Sequence, residues 1–232
     1  MRSALVVFAL VLPVASFAQE TPKLRPHHAT VSGGVMWSGP YDVGIATASL
    51  RGNGPGASAP AFTLFTADSR MKAAWAPEVR VGVALTPALA IDGGISFARP
   101  RIGVAISRDG EASAQELDGE KLDQYQVDAG VTWQPPMPVR WRLAKIGRRI
   151  APFVSAGAGY LRQLHEDRAL AETGAVYHAG GGVRYWLRGG QSASTDVGVR
   201  ADVRINVRQN GIDFENRRRT YPSVSLMLFV GL

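Results

Sequence analysis

The amino-acid sequence predicts an all-β protein, a single up-and-down antiparallel transmembrane β-barrel of eight strands. Several segments alternate apolar and polar residues over the roughly 9–11 residues with which a tilted strand crosses a bilayer. A short turn at one end and long polar loops at the other are also what outer-membrane barrels show. Beyond the amino-terminal segment there is no apolar run of about 18 residues. The mean hydropathy is −0.02, because half of each barrel strand is polar.

The clearest strand pattern is residues 195–208, TDVGVRADVRINVR. Successive side chains of a strand point to opposite faces, so one face is aliphatic and the other charged. The aliphatic face consists of Val197, Val199, Ala201, Val203, Ile205 and Val207. A soluble sheet also gives such a pattern, but its repetition along the chain favours a membrane barrel.

The amino-terminal segment has the features of a secretory signal. Arg2 precedes an apolar run over residues 4–15, and small residues lead to a cleavage site after Ala18. An uncleaved anchor helix is the less favoured alternative, because the run is short and Pro13 interrupts it. The predicted organisation is a signal peptide (1–18), a periplasmic leader (19–28) and an outer-membrane β-barrel domain (29–232).

Charge and cysteine content restrict the classes of partner and site. The chain carries 26 basic and 19 acidic residues, a formal net charge of +7. Basic residues are interleaved with the strands, so anionic lipid is expected as a partner and nucleic acid is not. With no cysteine, disulfides and thiolate metal sites are excluded. No cofactor is predicted.

The eight predicted strands follow from the alternation and its interruptions. A tight turn at Thr86-Pro87 joins the second and third, and the last runs to the chain end, where it would pair with the first and remove the free edge. The strands are predicted at 29–37, 77–85, 88–98, 122–133, 150–162, 175–187, 195–208 and 221–232.

Four long segments are predicted as outer loops, at 38–75, 99–121, 163–174 and 209–220. In the first loop, the segments VGIATASL and AFTLFTA can pair as a hairpin that extends the wall or folds over the mouth. The alternative is that residues 43–67 supply another membrane hairpin. That would give ten strands and a small-solute porin.

The inward positions carry charges of both signs. Eight strands enclose little more space than their side chains fill, and buried charges require partners. We therefore expect a salt-bridged lumen in preference to a binding or catalytic cluster. Its predicted members are Glu78, Arg80, Asp92, Asp128, His178, Arg184, Arg200, Asp202 and Arg204.

Catalytic and metal sites are weaker hypotheses. A lipid-modifying enzyme would need a Ser/His/acid arrangement, for which His178 and Ser155 on neighbouring strands are the candidates. A lone lumen histidine is more often structural, so no enzyme is predicted. His27, His28 and residues 165–167 lie in predicted flexible segments without a ligand lattice, so no metal site is predicted.

Three segments carry a resemblance to a known group: FVSAGAGY, HAGGGVRYWL and the terminal SVSLMLFVGL. The chain resembles the small eight-stranded outer-membrane barrels, the OmpA-like and OmpX-like or opacity-porin group. The resemblance implies an outer-membrane location, a monomer, and assembly by the barrel assembly machinery. The terminal segment departs from the usual assembly signal, because it ends on Leu232 and places Phe229 on the opposite face.

Members of this group function in adhesion, envelope structure and lipid modification, so the resemblance implies a location more than an activity. From the residues, we expect an envelope structural protein or a protein that binds a surface ligand through its outer loops. Arg217, Arg218 and Arg219 could contact phosphates of surface lipid. A solvated turn is the equal alternative.

Overall fold

A computed structural model describes residues 29–51, 61–107, 113–135, 149–166, 170–188, 196–215 and 217–232. These residues form twelve β-strands in two sheets, one closed into a barrel. Within the described ranges, no helix is long and apolar enough to cross a membrane. The predicted signal peptide and periplasmic leader lie outside the described residues.

The barrel has eight antiparallel strands in the closed order β1-β12-β11-β10-β9-β8-β5-β4. Val31 of β1 pairs with Val230 on one side and with Val81 on the other, so the first strand closes against the last. The eight-stranded prediction is confirmed. The barrel strands are β1 (Ala29–Ser38), β4 (Ala74–Ala84), β5 (Leu89–Ala98), β8 (Asp123–Trp133), β9 (Ile150–Leu164), β10 (Ala171–Arg188), β11 (Asp196–Asn210) and β12 (Arg219–Gly231).

The barrel is apolar outside and polar inside. On β11, Val203 is 57% exposed whereas its neighbours Asp202 and Arg204 are 1% and 3% exposed. The same alternation of buried and exposed positions continues along β12. A wall of exposed valine, isoleucine and leucine around buried charges is stable only where the surrounding solvent is lipid.

Aromatic side chains mark the two edges of the lipid-facing wall. On β8, Tyr125 and Trp133 are both exposed and lie eight residues apart, roughly 26 Å along the strand at ~3.3 Å per residue. With a tilt of about 40°, the apolar band is about 20 Å tall, close to that of outer-membrane barrels. Trp75 is exposed at the same end as Tyr125.

The short turn at residues 85–88 and both ends of the described chain, Ala29 and Leu232, lie at one end of the barrel. Short turns are periplasmic in outer-membrane barrels, so the opposite end is extracellular. That end carries the second sheet, of order β2-β3-β6-β7, called the outer sheet below. Its strands are β2 (Tyr41–Arg51), β3 (Ala61–Met71), β6 (Arg101–Ser107) and β7 (Gln115–Lys121).

Strands β2 and β3 form the hairpin predicted within loop 38–75. The barrel closes without them, so the ten-stranded alternative with residues 43–67 in the membrane is wrong. The prediction that 99–121 is a polar loop is also wrong, because β6 and β7 pair there. The polar segment QELDGEK has little strand propensity of its own and is a strand through its hydrogen bonds to β6.

The outer sheet is fixed to the barrel by a cluster of buried side chains, called the mouth cluster. The rings of Tyr41 and Tyr221 stack with centroids 4.9 Å apart. Its members come from the outer sheet and from the extracellular end of the barrel, so we infer that the cluster closes that end of the lumen. Its members are Tyr41, Val43, Met71, Ile102, Leu122, Ile212 and Tyr221.

Candidate functional site

The candidate site is the lumen, where alternate residues of eight strands point at one another. Small residues make room for large ones. A Cβ on Gly94 would lie 2.6 Å from Arg80 Nη1, and one on Gly157 would lie 2.7 Å from His178 Nε2. The glycines of β5 and β9 therefore create the space that these two side chains occupy.

The first group of ion pairs is centred on Arg80 of β4. Its Nη2 donates to Asp128 Oδ1 at 2.7 Å and its Nη1 donates to Asp128 Oδ2 at 3.3 Å. Nη1 also donates to Glu78 Oε1 at 3.0 Å. All three side chains are almost fully buried. The forked guanidinium matches the carboxylate in the geometry that makes such pairs strong.

The second group continues from Glu78 across the lumen to β11. Arg204 donates to Glu78 Oε1 at 3.0 Å and to Asp202 Oδ2 at 2.8 Å. Arg200 donates through Nε to Asp202 at 3.1 Å, and its Nη1 lies 3.4 Å from Asp92 Oδ1. Thr132 donates a hydrogen bond to Asp92. Together, the two groups form one chain of alternating charges, called the lumen lattice.

The last two predicted residues lie at the margins of the lumen lattice. His178 Nε2 is 3.4 Å from Asp128 Oδ1. Arg184 lies over the ring of Phe153, at 5.4 Å from its centroid, and has no ion pair among the described residues. Counting Arg184, the nine predicted residues include four arginines and four carboxylates. The structure thus brings eight of the nine predicted residues together and leaves Arg184 beside an aromatic ring.

Sequence reasoning missed a further buried arginine, Arg208, between the lattice and the mouth cluster. It donates to Tyr41 Oη at 2.7 Å, to Gln163 Oε1 at 3.2 Å and to the carbonyl of Ile212. These partners come from β2, β9 and the loop after β11. Alternation on β11 places Arg208 inward, but only the fold shows that it joins the outer sheet to the barrel wall.

Arg219 lies in a clamp that joins the loop before β12 to the edge of β2. Its Nη2 donates to Asp213 at 2.8 Å, to Glu215 at 3.1 Å and to the Val43 carbonyl at 2.8 Å. The Arg219 side chain is only 14% exposed and its guanidinium is bound within the clamp, so Arg219 is not placed to contact lipid phosphate. Arg217 and Arg218 remain exposed, and Arg217 lies 3.5 Å from Glu215.

The carboxylates of this clamp have lowered pKa values. The backbone N–H of Ile45 donates to Glu215 at 3.2 Å, and this bond, with the contribution of Arg219, lowers the pKa of Glu215. Burial opposes ionisation of Asp213, but hydrogen bonds from Arg219 and from the amides of Glu215 and Arg217 outweigh it and lower its pKa. The clamp is therefore an ionic structure at neutral pH.

The described residues contain no group of three or more His, Asp or Glu side chains that could hold a metal ion. Glu120 accepts a hydrogen bond from His165 at 2.7 Å, and this bond lowers the pKa of Glu120. His27, His28 and Asp167 lie outside the described residues. Ser155 pairs across the β9–β10 ladder with Gly180, not with His178, and no hydrogen bond joins Ser155 to His178 among the described contacts.

A closed antiparallel barrel with an apolar outer wall, aromatic edges and a polar interior is the architecture of bacterial outer-membrane proteins. The chain is an outer-membrane β-barrel. No protein-family model matches it, and no curated protein matches it.

Three solved structures illustrate what the chain is similar to. The outer membrane protein OprG from Pseudomonas aeruginosa has 8% sequence identity and a TM-score of 0.46, over 87% of this chain and 93% of that chain. Ail, the attachment invasion locus protein of Yersinia pestis, has 10% identity and a TM-score of 0.35, over 88% and 95%. The outer membrane protease OmpT from Escherichia coli has 10% identity and a TM-score of 0.35, over 91% and 99%. Similarities this low support no inference about binding or catalysis.

Proposed function

We propose that this protein is a closed outer-membrane barrel that presents the outer sheet at the cell surface as a binding surface. The observation that carries the proposal is the stacking of an ion-paired lumen, a buried arginine and an apolar mouth cluster beneath an exposed sheet. In this proposal the barrel is a monomeric anchor in outer-membrane lipid, inserted by the barrel assembly machinery.

The lumen lattice is the evidence that the barrel acts as a membrane anchor and not as a channel. Its side chains are nearly fully buried, and each of its arginines is paired with carboxylates. Breaking one partner of a buried ion pair leaves an uncompensated charge and costs several kcal/mol, about 3–5. Clearing a path for solutes would break several such pairs, so the folded lumen opposes transport.

The exposed apolar side chains of the outer sheet are the evidence for binding. The face of the outer sheet that packs on the mouth cluster extends beyond the cluster. On this face Val104 pairs with Leu117, and Ala48 pairs with Phe65. Its exposed apolar side chains are Leu50, Phe62, Phe65 and Leu117. They lie beyond the lipid-facing wall, where apolar surface contacts water, and such patches mark interaction sites.

Cell adherence tests the binding proposal. Cells that display the wild-type protein are compared with cells that display a Phe62→Ser, Leu117→Ser double variant, using cultured animal cells, other bacteria and polystyrene as probes. We expect the double variant to lose the adherence that wild-type display adds. Ile45→Ser is the matched control, because Ile45 and Phe62 are 55% and 54% exposed but Ile45 lies on the other face. Adherence unchanged by display of the wild type would overturn the proposal.

We also propose that the barrel is not an enzyme. His178 contacts Asp128, within a lumen that is closed above it by the mouth cluster. Lipid reaching this histidine would have to displace the lattice. Lipid-hydrolysis assays on refolded protein test this directly, and turnover that is abolished by Ser155→Ala or His178→Ala would show that the lumen is catalytic.

A further inference from the structure

The extracellular edge of the barrel wall carries a cluster of cationic and aromatic side chains on β5, β8 and β9. Phe97 and Tyr125 have ring centroids 4.9 Å apart. The guanidinium of Arg99 lies 5.3 Å from the Phe97 centroid. Arg162 is directly opposite Tyr125 in the β8–β9 ladder, and so is on the same outward face. These four residues form one continuous surface, called the rim cluster.

The two arginines of the rim cluster differ in their partners. Arg99 donates through Nε to Asp123 Oδ1 at 2.8 Å while its side chain stays 64% exposed. That bond uses one of the five N–H donors of the guanidinium and holds the side chain against Phe97. Arg162 is exposed and has no ion pair among the described residues. The rim cluster and Asp123 together therefore carry a net positive charge.

The nearby carboxylate Glu120 does not neutralise Arg162. It accepts hydrogen bonds from His165 and from the backbone amide of Glu166, so its oxygens are engaged within the outer sheet and the loop after β9. Among the described residues no carboxylate is paired with Arg162, so its charge is available to a partner outside the protein.

The height of the rim cluster in the membrane identifies the kind of partner. Tyr125 and Tyr160 are exposed on the lipid-facing wall, at the level where aromatic side chains border the hydrocarbon core. Arg162 lies two residues beyond Tyr160 on β9 and directly opposite Tyr125, so it is at the extracellular edge of this wall. This is the level of lipid headgroups, where phosphates are the anions that guanidinium groups bind as forks.

We propose that the rim cluster binds a phosphate group of an outer-leaflet glycolipid. Arg162 supplies the principal charge, Arg99 a second guanidinium, and the Tyr125 hydroxyl a hydrogen bond. Phe97 and Tyr125 pack against the first carbons of the acyl chains. The inference does not depend on binding by the outer sheet.

The test uses refolded protein in detergent micelles, titrated with a bisphosphorylated lipid A and with the same lipid after its phosphates are removed. Bound lipid is quantified by native mass spectrometry. Because hydrogen bonds between a guanidinium and a phosphate are charge-assisted, we expect wild type to bind the phosphorylated lipid at least about tenfold more tightly. Arg162→Ala should abolish that preference, and Arg162→Lys should retain part of it.

Arg70 provides the matched control. Like Arg162 it is an exposed arginine, and it pairs with Asp42 at 3.2 Å, but it lies on the outer sheet. Arg70→Ala should leave the preference unchanged. Equal binding of the two lipids by wild type, or an equal loss in Arg70→Ala and Arg162→Ala, would overturn the proposal. Heat-dependent gel mobility shows whether each variant is folded, and Arg162→Gln replaces Arg162→Ala if that variant is not.

Discussion

The barrel and the outer sheet are both built from β-strands, but the barrel faces lipid and the outer sheet faces water. Each barrel strand turns charge inward and valine or leucine outward, because its solvent is lipid. The outer sheet turns apolar side chains toward the mouth cluster and leaves its exposed pairs, such as Arg70 and Asp42, in water. Ion pairs are thus buried in one sheet and solvated in the other. The same substitution should therefore have very different effects in the two regions.

The largest difference is expected from removing one acid of an ion pair. Asp202→Ala leaves Arg200 and Arg204 without their shared partner, and this should lower the free energy of unfolding by about 3–5 kcal/mol. Asp42→Ala removes an exposed pair and should cost less than about 1 kcal/mol. Urea unfolding in lipid vesicles measures both. Equal costs would mean that the lumen lattice is solvated.

The second difference concerns the solvent outside each sheet. Val203 and Ile45 are 57% and 55% exposed, but the first faces lipid and the second water. Val203→Arg should cost roughly 2–4 kcal/mol near the middle of the membrane. Ile45→Arg should change stability by no more than about 0.5 kcal/mol, as exposed substitutions do. The same unfolding assay applies, and similar costs at the two sites would contradict the assigned membrane boundary.

The smallest effect is a pH dependence of the clamp between the two regions. A lowered carboxyl pKa means that ionisation stabilises the folded clamp. That stability is complete above the ordinary carboxyl pKa, near ~4, and is lost as the pH falls through the lowered values. The amide of Ile45, bonded to Glu215, should report this by NMR with a midpoint below the ordinary glutamate value. Glu215→Gln should remove the titration. A midpoint above the ordinary value would contradict the clamp geometry.

The two regions also differ in how far the sequence predicts them. Residues 195–208 obey strict alternation over a full membrane crossing, so β11 and its lumen face followed from the pattern alone. In the outer sheet, β6 and β7 have seven residues each, and the ladders contain register shifts. Such shifts move side chains to the other face. β6 pairs with the distant β3 and β7 pairs with β6, and this pairing, which no alternation pattern encodes, decides these strands.

The same distinction applies to individual site residues. The inward positions of Arg80 and Asp202 are readable from alternation, but their partners are not. Arg208 and Arg219 show this most clearly, because Arg208 binds groups from three different segments and Arg219 binds groups from two. Arg219 lies in a run of three arginines that suggested a surface contact, and only the position of Asp213 and Glu215 shows that it serves the clamp.

Planar-bilayer recording of the purified, refolded protein tests the central claim, that the lumen is closed, most directly. The account predicts no steady porin-sized conductance, because the lumen lattice, Arg208 and the mouth cluster block the path in series. A porin reconstituted in the same bilayers provides the positive control. A large, stable and weakly selective conductance from protein with the heat-dependent gel mobility of a folded barrel would contradict the account.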